Sequence, residues 1–256
     1  HLGKDYLAAS SLGTAFYNAL GFIPVGVLSA QDTLVSQAHG AKNERLKRYI
    51  LFRSLFAVLL ISIPIFFCFV FSKQLLILLG QDPEIAVLTS QFVKINAVGF
   101  IPYVLMRMLS RYLVTQSRVY FPLVVGVVSV LANALLNFLF VNGIGYKGLG
   151  FIGAPIATVL TRTLCATLYV AYTIYIERRK TIEDDESDGD EESESALEVL
   201  KQVVKNTVKI RGLIEYFKLG VPGCIMICLE IWGFEATALL AGLFKNPKYL
   251  AAHSVV

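Results

Sequence analysis

Apolar runs long enough to cross a bilayer, separated by short clusters of charge, make up most of this chain. Tyr6–Gln31 carries no charged side chain, and its apolar character continues across Asp32 to Ala38. Gly13, Gly21, Pro24 and Gly26 lie in this first span, where they allow kinks and close helix approach. Lys42, Arg45, Lys47 and Arg48 follow, and then Ser54–Ser72 is uncharged and forms a second span around Pro64. Lys73–Lys94 reads as a surface turn between helices. Within it Asp82 is placed to cap a new helix, Pro83 suits the first helical position, and Glu84 complements the positive end of the dipole. A third span at about Ile95–Val114 is interrupted by Arg107 and Arg111, four residues apart on one face and read as snorkelling side chains. Val119–Tyr146 is a fourth span without charge, and a fifth runs from the Gly-rich NGIGYKGLGFIGAP to Ile176. The sixth is Lys218–Phe244. Since roughly 20 apolar residues cross a hydrocarbon layer of about 30 Å, these elements predict an all-α integral membrane protein, a polytopic bundle of six spans.

Composition agrees: 55% of the 256 residues are hydrophobic and 16% charged, and the mean hydropathy is +0.63. The net charge of +4 hides a segregation, because Glu183–Glu194 holds a dense run of acids. Glu177–Ser195, almost without apolar residues, reads as a disordered solvated loop. Ala196–Arg211 has Leu197, Leu200, Val204 and Val208 on one side and Lys201, Lys205 and Lys209 at four-residue spacing, the pattern of an amphipathic helix on an anionic leaflet. Basic residues concentrate in the connections after spans one, three and five. The positive-inside rule makes that side cytoplasmic, acidic loop included, in the plasma membrane or an organelle membrane such as the vacuole's. The excess of basic groups marks loops rather than nucleic-acid binding. Cys68, Cys165, Cys224 and Cys228 lie in apolar segments, so no disulfide framework is expected. Cys224 and Cys228 share a helix face with no further ligand nearby, which makes them small buried hydrophobes rather than a metal site.

The candidate chemistry lies inside the spans. Glu230 falls about 18 Å beyond Lys218 along a helix, near the bilayer midplane, and Glu235 sits roughly 140° further round the axis. An acid at that depth is costly and marks a functional site by default. Arg162, also near mid-membrane, cannot be neutralised and requires water or a partner such as Glu230, Glu235 or a carboxylate elsewhere. Gly126, Ser129, Asn133 and Asn137 recur at helical spacing as either a packing seam or a cavity lining. Trp232 reads either as an interfacial, lipid-facing side chain or as a cation–π surface. No nucleophile–base pair, metal cluster or cofactor motif appears, so no enzyme and no cofactor is expected.

Several motifs together, in order and in register over nearly the whole chain outside the acidic linker, resemble the eukaryotic multidrug and toxic compound extrusion (MATE) transporters. They are DTLVSQAHGAKN (Asp32–Asn43) with FRS (Phe52–Ser54), QDPEIA (Gln81–Ala86), YLVTQ (Tyr112–Gln116) before FP (Phe121–Pro122), NALLNFLFV (Asn133–Val141) and KLGVPGCIMICLEIWGFE (Lys218–Glu235). The resemblance implies twelve helices in two six-helix lobes, with this chain, which opens on His1, as a fragment covering helices two to seven. Residues 1–178 would be first-lobe helices, 179–212 an acidic cytoplasmic linker with its amphipathic helix, and 213–256 the truncated first helix of the second lobe.

It also implies a secondary antiporter exporting organic cations or other xenobiotics in exchange for protons or sodium. Glu230 and Glu235 match family acids, Glu230 among those that couple protons and bind cations. Asp32 matches the acid at the cytoplasmic end of helix two, in an inner gate or in packing. Two departures stand out: the family's aromatic pair is replaced by Ile231, Trp232 and Gly233, and Arg162 has no family counterpart. Alternative readings are a lipid-linked saccharide flippase using Arg107, Arg111 and Arg162, or a receptor or channel.

Overall fold

The computed structural model of the chain describes residues 4–143, 148–187 and 210–243. Among these every regular element is helical: α1 Lys4–Val27, α2 Ser29–Gly40, α3 Glu44–Val70, α4 Ser72–Leu78, α5 Pro83–Val98, α6 Phe100–Val114, α7 Tyr120–Asn137, α8 Gly153–Ser187 and α9 Ile210–Leu243. A π-helical turn at Phe138–Asn142 follows α7, and a short 3₁₀ turn at Gly150–Ile152 precedes α8. Five membrane-length apolar spans result, or six when α5 and α6, bent by 51°, count as one.

The bend falls at Gly99, which packs so closely on α8 that a Cβ there would stand 2.9 Å from Val159. The stretch Lys73–Lys94 is therefore not the surface turn its charges suggested. It holds α4 and most of α5, with Ala86, Thr89, Ser90 and Val93 buried while Lys73, Glu84 and Lys94 stay outside. Asp82 caps α5 as expected, its carboxylate accepting from the Glu84 amide at 2.8 Å with Pro83 in the first turn.

The disordered loop expected at Glu177–Ser195 needs correction as far as Ser187, and its remainder lies outside the described residues. Helix α8 continues to Ser187, and Glu177 is held by Arg48 of α3 at 2.9 Å and by the Tyr112 hydroxyl of α6 at 3.1 Å. The helix thus runs across the expected lobe–linker boundary at residue 178. Most of the amphipathic pattern at Ala196–Arg211 lies outside the described residues.

Helix α1 is the centre of the packing and touches α3, α5, α6 and α9. Its buried positions Ala8, Leu12, Phe16 and Tyr17 meet an aromatic core in which Tyr17 stacks on Phe69 at 4.9 Å, and Phe100 stands edge-on to Phe69 at 5.1 Å. At one end of the bundle, charged pairs link α2 to α6 and α3 to α8. Arg111 donates to Asp32 at 2.7 Å, so it does not simply snorkel. Lys47, fully buried, pairs with Glu44 one turn earlier and contacts His39 Nδ1 at 3.2 Å.

Candidate functional site

The site is built where α9 crosses α1 antiparallel. Glycines permit the approach: a Cβ on Gly26 would lie 2.7 Å from the Cys224 Cα, and one on Gly220 would lie 2.9 Å from the Val27 carbonyl oxygen. Gly223 presses on Ser29 in the same way. With the backbones this close, Cys224 reaches the Ile23 carbonyl at 3.4 Å and Trp232 donates to the Ala19 carbonyl at 2.7 Å. Cys228 is buried beside Cys224, their sulfurs 3.7 Å apart, as expected of small packing side chains.

Glu230 sits two residues before Trp232. Its side chain is exposed, and it has no ionic partner among the described residues. The surface of α9 around it is apolar, with Ile225, Met226 and Leu229 also exposed. Glu235 falls within α9, but its side chain lies outside what is described.

At nearly the same depth lies Arg162 of α8. Its guanidinium carbon stands 4.7 Å from the Tyr17 ring centroid and 4.9 Å from that of Tyr103 on α6. Tyr17 and Ala19 are two residues apart, about 3 Å along the helix axis. Arg162 and Glu230 thus sit on two membrane-length helices, α8 and α9, that meet different neighbours of the bundle. Glu230 does not pair with Arg162, the Glu235 side chain lies outside the described residues, and the faces of the guanidinium are covered by two aromatic rings. Arg107 lies over the Tyr103 ring at 5.5 Å.

The remaining candidates are placed elsewhere. Asn137 donates to both the side chain and the carbonyl of Asn133 at 2.9 Å, and Asn133 reaches Thr161 of α8 at 3.4 Å. Both are half-buried and lie where α7 meets α8. Asp32 is engaged by Arg111 at the basic end of the bundle. Sequence reasoning missed the ligation of Glu177, the tyrosine clamp on Arg162 and the Trp232 hydrogen bond. The first had a visible trace, an acid directly after a long uncharged run; the other two depend on how α1 is rotated.

A family model described as MatE matches residues 1–139. The chain belongs to the MatE family. Protein DETOXIFICATION 16 of Arabidopsis thaliana is 30% identical over 96% of this chain and 46% of its own length. Multidrug and toxin extrusion protein 1 of Homo sapiens is 31% identical over 100% of this chain and 41% of its own length. Among solved structures, the eukaryotic MATE transporter AtDTX14 superposes with a TM-score of 0.77 at 26% identity, covering 100% of this chain and 52% of that one. The chain therefore spans about half the length of its MatE relatives, and its helical bundle has the MATE transporter fold.

Proposed function

We propose that this MatE chain contributes helices two to seven, five of the first lobe and the opening helix of the second, to an exporter that exchanges protons or sodium for organic cations or other xenobiotics. Glu230 is the exchanging group. An acid on a membrane-length helix, level with the middle of α1 and left without an ionic partner among the described residues, is the observation that carries this reading. A carboxylate that holds either a proton or a cation, but not both, couples the two fluxes through competition for one site. Trp232 is 42% exposed while its N–H is fixed on Ala19, so its ring edge is anchored and the ring can offer a face to an organic cation. Glu235 is a second proton-coupling candidate on the same helix. The basic end of the bundle is assigned to the cytoplasm, following the excess of Lys and Arg there.

The test uses the complete transporter in proteoliposomes with an imposed pH gradient and ethidium as cargo. Glu230→Gln is expected to abolish gradient-driven efflux while leaving the amount of correctly inserted protein unchanged. Efflux that still follows the gradient in that variant removes Glu230 from the mechanism.

A further inference from the structure

We propose that the Tyr17–Arg162–Tyr103 clamp is a binding site for the carboxylate of a small organic acid with an apolar body. A guanidinium carries five N–H donors and a charge that cannot be titrated away. Arg162 donates none of them in a hydrogen bond to the described residues, and its Nη1 is buried without any partner. The two ring contacts, at 4.7 and 4.9 Å, recover part of the desolvation cost. They satisfy the flat faces of the group and leave its donors unmet. A carboxylate meets such donors side-on, in the guanidinium plane.

The chain's own described acids do not take that place. Asp32 is held by Arg111, Glu177 by Arg48 and Tyr112, and Glu230 makes no ion pair, while the Glu235 side chain lies outside the described residues. A second unmet donor adjoins the first: the Tyr17 hydroxyl, on a residue only 3% exposed, also lacks a partner, and its ring lies against the guanidinium. Separate helices, α1 and α8, therefore each bring a buried, unused donor to one place inside the bundle. The surroundings select the rest of the ligand. Phe69 packs on Tyr17 at 4.9 Å and Phe100 at 6.1 Å, so the clamp lies in aromatic surroundings, which disfavour a polyanion and suit an acid whose remaining body is apolar. A cationic cargo is repelled by the fixed charge of Arg162. The site thus points to an acidic or zwitterionic ligand, independently of what Glu230 exchanges.

The probe is radiolabelled benzoate, bound to the purified full-length transporter in detergent at neutral pH and read by scintillation proximity. The expected result is saturable binding that weakens roughly tenfold or more in Arg162→Gln, the loss of one bidentate ion pair. Arg162→Lys is expected to retain part of it, and Tyr17→Phe, which keeps the ring and deletes only the hydroxyl, to weaken it a few-fold. Acetate should compete and chloride should not. Absent binding by the unmodified protein overturns the assignment, as does equal binding by Arg162→Gln. Displacement by chloride as readily as by acetate also overturns it, in favour of an inorganic anion. Should Arg162→Gln fail to fold, Arg162→Lys and Tyr17→Phe carry the test, and unchanged binding in both rejects the site. Cation efflux is read separately, so failure here leaves the role of Glu230 standing.

Discussion

Trp232 donates its indole N–H to the Ala19 carbonyl at 2.7 Å, tying α9 to α1 one short step from Glu230. The Ala19 oxygen belongs to the α1 backbone and does not move with a rotamer, so the bond sets the orientation of the indole and of the α9 turn that bears the acid. Trp232→Phe keeps an aromatic ring and removes the donor. We expect a loss of about 1 kcal/mol in thermal unfolding in detergent, together with reduced cation efflux. Unfolding and transport both unchanged would mean that the indole bond neither anchors α9 nor orients the site.

The charged end of the bundle separates two kinds of ion pair. Asp32 and Arg111 are close, but the Asp32 side chain is 39% exposed, and such a pair contributes between zero and about 1 kcal/mol. Glu177 is less exposed and accepts from both Arg48 and Tyr112, joining α8 to α3 and α6. Glu177→Gln is expected to lower stability by about 2 kcal/mol, and Asp32→Asn by less than about 1. Equal effects in parallel melting experiments would contradict this ordering.

Helix starts offer a smaller, cleaner measurement. The Asn43 side chain accepts from the Leu46 amide at 2.9 Å at the start of α3, and Asp82 does the same service for α5. Each replacement by Ala is expected to cost about 1 kcal/mol, and by Gly only a few tenths. An Ala variant melting with the unmodified protein would show that α3 or α5 is held by packing alone.

Asp82 was legible in the sequence because a cap is a local device, complete within a few residues. The spans were legible for a related reason: hydrophobic length is a property of one segment. What failed was wherever charge sits on the outer face of a helix. Lys73, Glu84 and Lys94 all point outward while Ala86, Thr89 and Val93 pack inward, so α4 and α5 looked like a turn. Glu177 looked like the first residue of a solvated loop because its partners, Arg48 and Tyr112, are distant in sequence and reach it only in the folded bundle. Arg162 stood out as a charge within an apolar span, but its two tyrosine neighbours come from α1 and α6 and carry no periodic signature. Asn133 and Asn137 were visible as a stripe, whereas the reach of Asn133 to Thr161 joins two helices and left no mark in the pattern.

The α1–α9 crossing rests on the absence of side chains, which makes Gly26 the most sensitive position in it. A methyl group there would come within 2.7 Å of the Cys224 Cα and 3.2 Å of its Cβ and Sγ. The first of these is backbone and cannot rotate away, so α9 must shift outward as a whole. Overpacking of this kind costs about 1–3 kcal/mol. It would also lengthen the bonds from Cys224 to Ile23 and from Trp232 to Ala19, because both span the same seam. Gly26→Ala is therefore expected to lower the melting temperature and to reduce efflux together, whereas Gly126→Ala, at a position where a Cβ meets no atom within 4 Å, should change neither. Normal melting and transport in Gly26→Ala would mean that α9 does not sit against α1 at this distance, and the placement of Glu230 level with Ala19 would fall with it.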